Sequence, residues 1–114
     1  MAIAVAATRQ SLADNYKGLG AWVSLHTGDP GTTGTSEASG GTPAYARKQT
    51  TWTSSTGGVV NGSQVTIDVP AGTYTYAGLW SAATGGTFID KVLITSTALG
   101  AQGQILVTPS ITVS

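Results

Sequence analysis

The chain is 114 residues long, the size of one small domain, with five Lys plus Arg against five Asp plus Glu, zero formal net charge and no cysteine. Charged residues make up 9% of it, against about 25% in ordinary globular proteins. Nucleic-acid binding, which needs clustered Lys and Arg, is excluded because Arg9, Lys17, Arg47, Lys48 and Lys91 are scattered, and so are disulfides and thiolate chemistry.

The opening MAIAVAATRQ lacks the basic start and full apolar region of a signal peptide, so no secretion signal is expected. No apolar run approaches the roughly 20 residues that span a bilayer, so no membrane insertion is expected either. Ser11–Leu19 is the one helical candidate: Ser11 is a suitable N-cap, Leu12, Tyr16 and Leu19 share a face, and Gly18 or Gly20 ends it. Ala21–His26 is strand-like. From Thr27 to Ala44 follows a long Gly-, Thr-, Ser- and Pro-rich stretch; loops of this length in a compact domain are usually functional or ordered by a partner. Within it, Asp29-Pro30-Gly31 has the chemistry of a turn.

Tyr45–Thr53, rich in aromatic and β-branched residues, suggests a further strand. Ser63–Val69 alternates cleanly, with Val65, Ile67 and Val69 on one face and Gln64, Thr66 and Asp68 on the other. Pro70-Ala71-Gly72 turns the chain. Thr73–Trp80 then places Tyr74, Tyr76 and Trp80 on one face and Leu79 on the other, with Gly78 marking a bulge or a close backbone approach. Ser81–Gly86 is a turn and Thr87–Thr95 its hairpin partner. Gln104–Thr108 is a strand limited by Pro109, and Ile111–Val113 closes the chain.

Together these elements predict an all-β fold: a compact antiparallel sandwich or jelly-roll-like barrel of about seven or eight strands with one short N-terminal helix. Residues 1–114 form a single domain in which 27–44 is a long contact loop. The expected core is Val65, Ile67, Val69, Leu79, Phe88, Val92, Ile94, Ile105 and Val107.

Candidate chemistry is sparse. His26 is the single histidine, with Ser24 and Asp29 nearby in sequence. A Ser-His-Asp triad needs both groups on opposite ring nitrogens, and a Cα separation of about 7 Å along one strand face is a poor start for the Ser24 contact. The expected role of His26 is to end a strand and bond a backbone group in the Thr27–Gly31 turn. Asp29, Glu37, Asp68 and Asp90 are too dispersed for a calcium loop. Trp22, Trp52, Trp80, Tyr45, Tyr74 and Tyr76 are core or interface rings before they are a sugar platform. The expectation is a non-enzyme with no catalytic residue, cofactor or metal.

Two segments are more specific. Leu25-His26-Thr27-Gly28-Asp29-Pro30-Gly31, then Glu37, Ser39-Gly40-Gly41 and Tyr45-Ala46-Arg47, form the first; Ala77-Gly78-Leu79-Trp80-Ser81-Ala82-Ala83-Thr84-Gly85-Gly86 is the second. Their order resembles a family of small tailed-bacteriophage virion proteins usually labelled minor tail or tail-fibre proteins, over roughly Leu25 to Leu93. The insertion of Thr42-Pro43-Ala44 ahead of Tyr45 departs from that pattern. The resemblance implies a structural protein on the outer surface of the virion, capsid or tail, assembled in the host cytoplasm.

The first reading is a capsid decoration or cementing protein contacting the major capsid protein. The alternatives are a minor tail or tail-tip protein contacting the host surface, and a carbohydrate-binding module. Near-zero charge and hydroxyl-rich loops favour burial in an assembly, so partners are expected to be further copies of the chain, most economically in a trimer, and phage capsid or tail proteins. The expected partner or oligomer contacts are His26, Asp29, Pro30, Glu37, Tyr45, Arg47 and Trp80.

Overall fold

A computed structural model describes residues 2–114. One helix, α1 (Ala6–Lys17), precedes nine strands: β1 (Trp22–His26), β2 (Lys48–Gln49), β3 (Trp52–Ser54), β4 (Val59–Gly62), β5 (Val65–Val69), β6 (Gly72–Trp80), β7 (Phe88–Leu99), β8 (Gly103–Val107) and β9 (Ser110–Thr112). They form a four-stranded sheet in the order β2-β1-β6-β7, a three-stranded sheet β3-β4-β9 and a two-stranded sheet β5-β8. All strand pairs are antiparallel. The expected antiparallel, sandwich-like β architecture with one N-terminal helix is therefore what the chain adopts, and among the described residues no sheet closes into a barrel.

The core lies between the four-stranded and two-stranded sheets. Val23 and Leu25 of β1 and Tyr74 and Ala77 of β6 meet Val65, Ile67 and Val69 of β5 and Ile105 of β8. Strand β5 is buried at alternate positions, as its alternating sequence requires. Its partner β8 follows residue for residue, with Ile67 opposite Ile105. Of the expected core, Val65, Ile67, Val69, Leu79 and Ile105 are buried; Ile94 and Val107 pack against them half-buried, and Phe88 is half-buried.

Val92 is the exception. It lies opposite buried Ala77 in the β6–β7 register and so points to the same face, yet it is 59% exposed. The two-stranded sheet is too narrow to cover β7.

Three other expectations are corrected. The helix starts at Ala6, with Val5 in the N-cap position and no side-chain cap, so Ser11 sits inside it. Its Ala-rich first turn needs little help from a cap, and long-range bonds hold it. Arg9 donates to Gly57 O, while the Gln10 carboxamide accepts from Val59 N and donates to Val59 O, standing in for a strand neighbour. The helix buries Ala13 and leaves Leu12 and Leu19 exposed, so the Leu12–Tyr16–Leu19 stripe does not face the core.

Next, Tyr45–Thr53 is not one strand. Thr50 is buried and bonded to Ala21 O through its amide and to Ser63 O through its hydroxyl, and the chain crosses there from β2 in one sheet to β3 in another. Finally, Tyr76 and Trp80 share a face as expected, in unbroken register with His26 and Trp22 of β1, but Tyr74 does not join them. The β6–β7 register shifts between Tyr74 and Tyr76, and Tyr74 turns into the core, where it donates to Pro70 O.

Ile67→Ala should lower the unfolding free energy by about 2–4 kcal/mol, because Ile67 is fully enclosed, whereas Val92→Ala should change it far less. Denaturant titration of both variants checks the assignment of the core face; equal losses would contradict it.

Candidate functional site

The face of the four-stranded sheet away from β5 and β8 is covered by the loop between β1 and β2. Backbone bonds begin this: Ala38 N donates to Leu25 O, Thr27 N to Ser36 O, and His26 bridges Glu37. Pro30 and Gly34 are buried. Gly34 has φ +81°, and a Cβ there would collide with the Trp80 indole, so loop and ring close on each other only with glycine. Asp29 closes its turn as expected by accepting from Gly31 N at 2.8 Å, and it also pairs with Lys91 of β7.

Arg47 binds the loop to the sheet. Its Nε and Nη2 donate to the two Glu37 oxygens at 2.8 and 2.9 Å. Its Nη1 donates to Ala82 O at 3.0 Å and Gly85 O at 2.9 Å in the β6–β7 turn. The guanidinium carbon stands 3.6 Å from the Trp80 ring centroid. Planarity, a fork of donors and weak hydration suit arginine to this combination of bidentate pairing and stacking. The Tyr45 hydroxyl completes it, donating to Glu37 Oε2 at 2.7 Å and accepting from Leu25 N at 3.2 Å.

Burial raises the Glu37 carboxyl, but the bonds from Arg47 and Tyr45 outweigh this and hold it below the usual carboxylate range. Burial, with the carboxylate beside it, pushes the Tyr45 phenol up. Both groups keep their present charge through the neutral range. Four guanidinium N–H groups are engaged within the chain, so this is a clamp and not a receptor for an anion.

Beneath it lies a buried chain of hydrogen bonds. Trp80 Nε1 donates to Ser24 Oγ at 2.9 Å, Ser24 Oγ lies 2.7 Å from His26 Nε2, and His26 Nδ1 lies 2.8 Å from Thr35 O. A carbonyl can only accept, so Nδ1 carries the proton and Nε2 accepts from the Ser24 hydroxyl. The Ser24–His26 contact, for which strand spacing is a poor start, is thus made. Gly78 sits opposite Ser24, and a Cβ there would lie 2.5 Å from Ser24 Oγ and 2.8 Å from His26 Nε2. Its missing side chain leaves room for the two to meet, the close approach expected at that glycine. The far partner of His26 is Thr35 O and not the Thr27–Gly31 turn.

Serine facing an imidazole nitrogen is the geometry of an activated nucleophile. Here Ser24 and His26 are both 0% exposed, the other ring nitrogen faces a carbonyl where a triad has a carboxylate, and Phe88 closes over the imidazole edge-on at 6.0 Å. Both side chains are sealed from solvent. Burial holds the His26 pKa below its usual value, against the opposite pull of the Thr35 carbonyl and Glu37.

The residues expected to contact partners therefore fall into two groups. Glu37, Tyr45, Arg47 and Trp80 converge in the clamp, with His26 and Pro30 enclosed beneath the loop; Asp29 lies apart on the surface with Lys91. The carbonyls of Thr35, Ala82 and Gly85 were not expected in the site, since backbone acceptors carry no residue-type signal. Among the described residues no three His, Cys, Asp or Glu side chains group as a metal site, and no helix is long and apolar enough to cross a membrane.

The sequence model of a protein family described as Podophage GP4 fiber I protein gp80 matches residues 16–114, which take in all nine strands and both motif segments, and the chain belongs to that family. No curated protein and no solved structure matches the chain.

Arg47→Ala should destabilise the fold by about 3 kcal/mol, the scale of removing one partner from an enclosed ion pair; Arg47→Lys should recover only part of this, lacking the fork and the stacking plane. Stability should also fall with acidity in two stages. The lowered pKa of His26 means that the unfolded chain takes the proton first, so stability is full above about pH 6.5 and declines as pH drops below it. Glu37, also lowered, adds a further loss as pH falls below about 4.3. Urea titrations extended from neutral pH down to about pH 2 read both, and His26→Asn should remove the first stage alone.

Proposed function

We propose that this gp80-family chain is a non-enzymatic structural subunit on the outside of a tailed-phage particle, built into a fibre and present there as a homo-oligomer, most economically a trimer. Membership of the family establishes a phage fibre or tail structural protein. The observation that carries the rest is where the family-like motif leads. His26, Glu37, Tyr45, Arg47 and Trp80 are engaged in bonds within the chain. A motif that holds a loop in shape, over a Ser-His pair sealed from solvent, supports a scaffold in place of a catalyst or sugar receptor.

The fibre position is preferred to capsid decoration because the family's description names a fibre. The rigid loop supports a contact module: with its backbone ordered in advance, binding a neighbouring virion protein costs little further entropy.

Gold-labelled antibody against the chain, viewed on intact particles, tests the location. Label on fibres at the tail is the expected result; label spread over the head lattice would return the decoration role and contradict this reading. Purified protein should show no hydrolytic turnover, and activity abolished by His26→Ala would overturn the non-enzymatic assignment.

A further inference from the structure

An open groove of about 530 Å³ runs between β7 and β8, floored by Ala77, Leu79, Ile94 and Ile105. It exists because the four-stranded sheet is faced by only two strands. Val92, on the inward face of β7, is 59% exposed; Leu93 and Leu106, on the outer faces of β7 and β8, are 68% and 56% exposed.

The strands bordering this opening are both sheet edges. Exposed edges present unpaired backbone groups, and proteins limit the hazard by keeping them short. Edges β2, β3 and β9 follow that rule with 2, 3 and 3 residues. Edge β7 breaks it. It has 12 residues, no proline and two charges, Asp90 and Lys91, and those are engaged by Tyr16 and Asp29 of the same chain.

We infer that the β7–β8 opening is the contact between copies of this chain: the β8 edge of one copy pairs with the β7 edge of the next, covering Val92. This rests on the reading of the chain as a repeated virion subunit and names the surface that joins the copies. Two features select a second copy as occupant. The opening is apolar with its charges already matched, and the chain is itself neutral, so copies approach without net repulsion and a strongly charged partner gains nothing there. Each copy also carries one β7 edge and one β8 edge. A single added strand satisfies one of them, whereas a closed head-to-tail ring satisfies both in equal number.

The test is the oligomeric mass of the purified chain, by sedimentation and light scattering over a concentration series, beside a Val92→Lys/Leu106→Lys double variant. Both positions are exposed in the single chain, so the variant should keep the β-type circular dichroism of the parent. The expected result is a closed oligomer of three or more copies for the parent and a monomer for the variant. A parent that is monomeric throughout, or a two-fold dimer, overturns the head-to-tail pairing. An oligomer that the double variant leaves intact overturns this surface while leaving a homo-oligomeric fibre subunit standing; particle labelling decides that reading separately.

Discussion

One guanidinium holds three separate parts of this chain in register. Arg47 grips Glu37 in the long loop, the Trp80 ring at the end of β6 and two carbonyls of the β6–β7 turn. A loop rich in Gly, Ser and Thr has little apolar area with which to offset its conformational entropy. What fixes it is a set of directional bonds, of which this charge-assisted set is the strongest. With the loop in place, the buried Trp80–Ser24–His26–Thr35 chain is satisfied at every polar atom, and among the described residues no buried side-chain nitrogen or oxygen lacks a partner. That satisfaction is what makes so polar an interior tolerable.

The fold was legible where burial alternates on one face. Val65, Ile67 and Val69 announce β5 and its inward face, and the Pro70–Gly72 and Ser81–Gly86 turns delimit β6 and its hairpin with β7. It was less legible where long-range contacts override local pattern. The helix follows Arg9 and Gln10 onto β4 in place of burying its Leu12–Tyr16 stripe, and Thr50 carries the chain between sheets inside what looks like one strand. The β7 bulges hide in the sequence because extra residues on one strand of a pair leave no compositional trace, though Tyr74 and Trp80 end on opposite sides of the sheet.

Much of the candidate site was named in advance by residue, but the clamp those residues form was not foreseen. Glu37, Tyr45, Arg47 and Trp80 are side chains whose chemistry suits a partner surface as well as an internal clamp. What separates the two is whether their donors and acceptors are already used, and only three dimensions reveal that. Gly78 was the one local hint of the Ser24–His26 contact: an absent Cβ opposite two polar side chains marks a place where they can touch. The loop, expected to be functional or ordered by a partner, makes bonds to its own chain that hold it in shape. The unprotected length of β7 adds a second surface on which to look for a partner.

The central claim is that Arg47 makes the Thr27–Ala44 loop part of the folded unit, and amide hydrogen exchange tests it most directly. In the parent chain the Thr27, Thr35 and Ala38 amides should be protected nearly as well as those of β1, and in Arg47→Ala their protection should collapse while β5 and β8 stay protected. Exchange of those three amides at unfolded-chain rates in the parent, or protection unaltered by the substitution, would contradict the account.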